Sequence, residues 1–302
     1  MNHGFTYTGR VGPEGDGRPV LDHLADHYAH TPRNVWSERI EAGLVLLDGR
    51  PAAAEEELRR GQQLSWLRPP WEEPPVPLAC AVLFEDEDLL AVAKPSGLPT
   101  LPGGGYLEHT LLALVRCRCP EASPVHRLGR GTSGVVLFAR GVRAGRNLCG
   151  ALREHQMIKI YRALVQGSPA LDSFLVDTPI GSVPHPFLGS VHAAHPQGKP
   201  SRSHVRVLER RSTDSLVEVR IETGRPHQIR IHMASCGHPL AGDPLYAPGG
   251  CLREDRAALP GDIGYFLHAL SVTLPHPRSG ARLVIECQPP PILRRTPPAR
   301  II

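Results

Sequence analysis

The sequence predicts an α+β fold built on a large mixed sheet, and three observations lead there. Short apolar runs bounded by turn residues recur through residues 78–302, as buried strands do. Arg143 to Gln156 stands between two such runs with Leu148, Ala151, Leu152 and His155 at helical spacing, so a helix separates two strands. One later segment alternates strictly: Val217, Val219 and Ile221 face one way, and Glu218, Arg220 and Glu222 the other, the pattern of a half-buried strand. A chain of 302 residues can bury a full core and suggests one large domain with a small one.

The elements follow in order. Val20, Leu21, Leu24, Ala25 and Tyr28 form one helical stripe. Thr31 and Pro32 then open a second helix, the hydroxyl as a cap and the proline where no amide partner is needed. That helix carries Arg33, Trp36 and Arg39 and stops at Gly43, before a strand that reaches an Asp48-Gly49 turn. This helix–helix–hairpin unit occupies residues 1–66. Prolines deny helix and central strand from Leu67 to Pro77, so residues 67–77 read as a stiff linker, with the larger domain at 78–302. There, Leu89 to Pro95, Ser133 to Arg140 and Ile158 to Gly167 suit buried strands, and Leu267 to Pro277 closes the series. Turn residues from Pro184 to Pro200 read as a surface insertion.

Composition narrows the setting. No apolar run is long enough to span a bilayer, no signal-peptide pattern opens the chain, and seven scattered cysteines fit reduced thiols, so a cytoplasmic protein without a membrane partner is expected. The net charge of +4 is unevenly placed: between Arg116 and Arg162, ten Lys/Arg face only Glu121 and Glu154, a local +8 that suits a phosphate-binding surface. Cys117 and Cys119 are too closely spaced for a structural zinc site, and His185, His192 and His195 lie in the Pro-rich insertion, so no metal is expected. No GxSxG or cysteine-nucleophile pattern occurs.

Four motifs carry the chemistry. The first runs from Glu85 to Gly104, a strand leading through Lys94-Pro95 into a glycine-rich loop without the ending of a nucleotide phosphate loop. The second is HRLGRGTSG, His126 to Gly134, where Arg127 and Arg130 sit among glycines that let phosphate approach, and Thr132 and Ser133 have the chemistry to bond the turn itself. The third is Tyr161 within KIYRALV, and the fourth is ETGRPHQIRIHMASCGHPLAGDPLYA, Glu222 to Ala247.

Together these resemble, in order, the motifs of the RluA-type RNA pseudouridine synthases across about residues 80–288: a KPxGL turn, HRLDxxTSG, an active-site tyrosine and ETGRxHQIRxHxxxxGHPxxGDxxY. The resemblance implies that family's catalytic fold, with a mainly antiparallel mixed sheet. It also implies an isomerase that turns uridine into pseudouridine in structured RNA, rRNA or tRNA, as a monomer and without a cofactor. The first 66 residues resemble the S-four-like RNA-binding domain, which would present Arg33 and Arg39 to RNA. By the same resemblance Arg127 enters the RNA where the target nucleotide is turned out, because chemistry on a base requires leaving the stack. Tyr161 would stack on that base and assist proton removal, its phenol offering a flat face and a titratable hydroxyl. Arg230 would pair with the catalytic carboxylate, and Lys94, Arg130, Arg225, His227 and Gln228 would complete the RNA-binding site.

One departure matters: Gly129 stands where the family keeps its catalytic aspartate. There is no Asp between Asp88 and Asp172, and Glu108, Glu121 and Glu154 are the nearest carboxylates in sequence. Loss of an essential nucleophile costs on the order of 10⁶ in rate. The alternative to an enzyme is therefore a catalytically inactive relative that binds RNA. Against decay stand Arg127, Tyr161 and Arg230, all retained, and a branch of the family with plant members carries the same HRLGRGTSG.

Overall fold

A computed structural model describes residues 1–186, 188–253 and 258–296. The chain divides into two compact units, Met1–Glu73 with Pro184–Ser190, and Pro74–Val183 with Val191–Ile302.

In the first unit, β1 (Phe5–Arg10) precedes α1 (Val20–His27) and α2 (Arg33–Glu41), followed by β2 (Val45–Leu47), β3 (Arg50–Pro51) and β4 (Gln63–Arg68). The strands form one sheet in the order β1-β4-β2-β3, covered by Val20, Leu24, Trp36 and Ile40 of the helices. Gly43, at φ 68°, ends α2 as its sequence position requires. Pro32 is itself the cap residue and no side chain caps α2, so the Thr31 hydroxyl does not play the part expected of it. The hairpin of β2 and β3 is present, but the sheet is larger than the sequence suggested. β4 pairs with both β1 and β2 and runs on through Leu67 and Arg68, two residues into the stretch read as linker, because the first proline comes only at Pro69.

The second unit contains β5 (Ala81–Glu85), β6 (Leu89–Lys94), α3 (Leu111–Arg118), β7 (Ala122–Pro124), β8 (Ser133–Arg140), α4 (Val142–Arg153) and β9 (Ile158–Gln166). After these come β10 (Ser173–Val176), β13 (Ser203–Arg210), β14 (Asp214–Ile221), α5 (Gln228–Ser235), β15 (Leu267–Pro275) and β16 (Arg282–Glu286), while β11 (Ile180–His185) and β12 (Gly189–Ala194) each have their turn end in the segment counted with the first unit. The main sheet has ten strands in the order β10-β13-β14-β9-β15-β8-β6-β5, with β16 beside β15 and β7 beside β8. The pair β8·β15 is parallel, and the other pairs of that sheet run antiparallel. This is the mixed, mainly antiparallel sheet of the expected α+β class.

Alternation decides what each face carries. Tyr161, Ala163, Val217, Val219, Val136 and Phe138 meet α3 and α5 on one face. On the other, Val135, Leu137, Leu89 and Ala91 meet Ala144, Leu148 and Ala151 of α4. α4 ends at Arg153, and His155 turns out at φ 57°, so the last member of its sequence stripe is not on the helix. The segment Pro184 to Pro200 is more ordered than an irregular insertion, since β11 and β12 pair there and Ile180 bridges to Lys199.

Candidate active site

The turn after β6 and the turn before β8 are fastened together. Lys94 ends β6 almost fully buried, and its Nζ donates to the carbonyls of Pro95 (2.9 Å), Leu98 (2.6 Å) and Arg130 (3.2 Å). Burial first, and then the Arg130 guanidinium, push its ammonium down to about 7. Ser96 Oγ donates to the Gly131 carbonyl (2.8 Å), Gly97 N to that of Arg130 (2.8 Å), and Thr100 Oγ1 to that of Leu128 (2.8 Å). Gly97 holds φ 92°, which is why glycine follows Ser96. Lys94 therefore joins two turns and does not present its charge to RNA, a correction to its place among the RNA-binding residues. The reason is physical: its protons are already committed to buried carbonyls.

Within HRLGRGTSG, His126 accepts from Leu137 N at Nε2 (3.2 Å), and burial pushes its imidazole down to about 4, so the ring is neutral. Arg127 is exposed. Arg130 folds back, donating to the Gly261 carbonyl (2.8 Å) and the Tyr106 hydroxyl. Thr132 N closes the turn on the Gly129 carbonyl (3.0 Å), and Thr132 Oγ1 lies 3.4 Å from the hydroxyl of Tyr265. Ser133 Oγ lies 2.8 Å from His268 Nδ1, while His268 Nε2 lies 3.0 Å from the Cys287 carbonyl. Nε2 must therefore donate and Nδ1 accept, which fixes the neutral tautomer. Gly134, at φ 111°, passes so close to β15 that a Cβ would stand 2.2 Å from the Ala269 carbonyl oxygen.

Three adjacent strands bring the site together. β8 follows the motif turn, β9 carries Tyr161, and β15 begins two residues after Tyr265, with Tyr161 opposite Ala269. Tyr161 is 8% exposed, and burial pushes its phenol up to about 12. The ring therefore meets this face neutral, as a platform rather than as a base at neutral pH.

α5 supplies the remainder. His227 precedes it in the left-handed region, φ 55°, and its Nδ1 lies 2.7 Å from Tyr246 Oη. Because Tyr246 Oη donates to the His192 carbonyl (2.7 Å), Nδ1 carries the proton and Nε2 is an acceptor. Burial, then Arg230, push that imidazole down to about 3. Gln228 is 3% exposed; its Oε1 accepts from Thr223 Oγ1 (2.7 Å) and Arg225 N (3.1 Å), and its Nε2 donates to the Arg202 carbonyl (2.9 Å) and Ser203 Oγ (3.0 Å). All four of its bonding positions are filled, so Gln228 braces α5 and is withdrawn from the RNA-contact group. Arg225 is half-buried, its Nε donating to the Pro200 carbonyl (3.4 Å).

Arg230, 2% exposed, forms a two-pronged pair with Asp243, Nε to Oδ2 and Nη2 to Oδ1, both 2.7 Å. Asp243 Oδ1 also accepts from Leu245 N (2.9 Å) and Tyr246 N (3.2 Å). The guanidinium stands between two rings, 5.0 Å from the centre of Tyr246 and 4.2 Å from that of Tyr265. The carboxylate that Arg230 holds is thus Asp243 and not one at residue 129. Asp243, Tyr246 and Tyr265 were not among the residues singled out from sequence. The first two lay inside the fourth motif, whereas only folding brings Tyr265 to the glycines of the second.

In the first unit, Arg33 pairs with Asp22, and Arg39 is wedged between Trp36 and Trp66, 4.6 and 4.0 Å from the ring centres. α2 therefore offers less free positive charge than its sequence implied. The basic stretch of the second unit is likewise moderated by acids from elsewhere: Arg118 and Arg140 meet Glu85, Arg143 meets Asp88, and Arg162 meets Glu218.

A central sheet that gathers a flat neutral tyrosine, a buried arginine pair and an exposed arginine on a glycine turn has the parts of an enzyme that works on a base. The family model for RNA pseudouridylate synthase matches residues 88–235. The chain is 44% identical over 276 residues to an uncharacterised RNA pseudouridine synthase of Synechocystis sp., covering 91% of this chain and 95% of the relative. It is 34% identical over 286 residues to the ribosomal large subunit pseudouridine synthase D of Neisseria meningitidis serogroup A, covering 90% of this chain and 75% of that one. Among solved structures, human RNA pseudouridylate synthase domain containing 1 superposes with a TM-score of 0.56 at 26% identity, covering 74% of this chain and 89% of that one. The chain belongs to the RNA pseudouridine synthase family, isomerases that act on RNA.

Proposed function

We propose that this protein converts uridine to pseudouridine in ribosomal RNA, acting as a monomer in the cytoplasm. The likeness to the large-subunit synthase of Neisseria supports rRNA over tRNA as the substrate. The observation that carries the reading is the meeting of the motif turn, Tyr161 and Arg230 on one face of the main sheet. In this reading the target nucleotide leaves its stack, Arg127 fills the vacated position and the base lies on the Tyr161 ring. His227 Nε2 offers an acceptor to a sugar hydroxyl or base donor. No helix among the described residues is long and apolar enough to cross a membrane.

The test is pseudouridine mapping by mass spectrometry after incubating the protein with large-subunit rRNA and with tRNA, both lacking the modification. Product at a defined uridine of the rRNA is expected, with no added cofactor. Product in tRNA alone would overturn the substrate assignment, and none in either RNA would overturn the enzymatic reading.

A further inference from the structure

Neither Gly129 nor Gly131 has the positive φ that makes glycine necessary, so the backbone does not explain them. The space above them does. A Cβ on Gly131 would stand 2.9 Å from Cζ and 3.1 Å from Oη of Tyr265, and a Cβ on Gly129 would stand 3.1 Å from that same Oη. A side chain at residue 131 would collide with the ring itself, so the absence of one is the condition for the phenol lying where it does. A carboxyl group on residue 129 would grow from a Cβ already in contact with Oη. The phenol oxygen thus stands against the position from which a motif aspartate would act.

Asp243, Glu121 and Glu154 already have partners. Asp243 accepts four hydrogen bonds and its side chain is 0% exposed. Glu121 is bound to Arg140 and Cys119, and Glu154 to Gln156 beyond the end of α4. Tyr265, buried at 4% exposure, is placed differently. Its hydroxyl is 3.4 Å from Thr132 Oγ1, and its ring lies against the Arg230 guanidinium at 4.2 Å, on the same face as the motif turn.

We propose that Tyr265 is the catalytic nucleophile of this protein, replacing the aspartate that Gly129 lacks; this rests on the synthase reading above. Oη bonds to C1′ of the target uridine as the N1–C1′ bond breaks, and the phenol proton passes to N1, where the product carries a hydrogen. The uracil turns, C5 bonds to C1′ and the O–C1′ bond breaks with its electron pair returning to Oη. The proton on C5 then passes to the tyrosinate and restores the phenol. Nothing is oxidised or reduced, and one proton has moved from C5 to N1 by way of Tyr265. A tyrosine nucleophile at an anomeric carbon has its parallel in the sialidases.

Wild type, Tyr265→Phe, Gly129→Asp and the double variant Gly129→Asp/Tyr265→Phe are compared in single-turnover reactions on an unmodified large-subunit rRNA transcript, with RNA affinity measured by filter binding. Tyr265→Phe keeps the ring on both glycines and under Arg230 and removes Oη alone. It is expected to lose about 10³-fold or more in rate with affinity unchanged. The double variant, with a carboxylate restored and the phenol gone, is expected to regain product, which a merely structural role for Tyr265 would not produce. Turnover by Tyr265→Phe at the wild-type rate would overturn the proposal and leave the synthase reading standing. Product from Gly129→Asp with none from wild type would overturn it as well. Bound RNA without product from every variant would sink the synthase reading and this proposal with it.

Discussion

At the scale of single residues, the Arg230–Asp243 pair decides how the site is held. Both side chains are buried and each is the other's charge partner, so removing one leaves the other uncompensated away from water. Asp243→Ala is expected to cost about 3–5 kcal/mol, read as a lower urea midpoint. The joint replacement Arg230→Met with Asp243→Leu, which removes both charges and keeps apolar volume, should unfold at higher urea than Asp243→Ala alone. A single variant as stable as wild type would mean that the pair does not hold the site. The sequence made Arg230 and the missing aspartate visible, because both stand in short motifs. It left Asp243 unremarked and Tyr265 hidden, because their partners are residues 13 and 133 positions away.

At the scale of elements, apolar runs and turn residues placed β6, β8, β9, β14 and β15, since those strands are buried and carry their signal in adjacent residues. β1 was not read from the sequence: its alternation is only Phe5 and Tyr7 with Thr6 and Thr8, and its six residues are all exposed. β11 and β12 were hidden by the turn residues around them. Register was also beyond local reading, and Gly134 shows why. A glycine opening a strand looks like a weakness, yet the approach of Ala269 to its bare Cα lets the parallel strands close. Gly134→Ala adds a methyl group within a backbone contact at an unfavourable φ, and a loss on the order of 3 kcal/mol or more is expected. Thermal unfolding checks this; a melting temperature equal to wild type would show that β8 and β15 can separate without cost.

At the scale of the molecule, local sequence overstated positive charge. The ten basic residues from Arg116 to Arg162 look nearly unopposed along the chain, but folding brings Glu85, Asp88 and Glu218 from elsewhere in the sequence to four of them. The imidazoles that folding buries neutral also set an acid limit. Burial lowers the imidazoles of His126, His227, His232 and His268 below their usual 6.5, the first two to about 4 and about 3. The unfolded chain then takes up protons near pH 6.5 that the folded chain refuses, so this stability is complete above pH 6.5 and declines as pH falls towards 4. Urea midpoints should drop between pH 7 and pH 4.5, and His126→Gln, whose amide oxygen can still accept from Leu137, should flatten that slope. An unchanged slope in the variant would remove His126 from the account.

The bond between Ser133 and His268 joins residues 135 positions apart. During synthesis the motif turn emerges long before the strand that anchors it exists, a delay of roughly 7 to 27 s at ordinary elongation rates. The RNA-facing centre is consequently among the last parts of the fold to form, and a nascent chain stalled before β15 would carry every motif arginine and yet no assembled site.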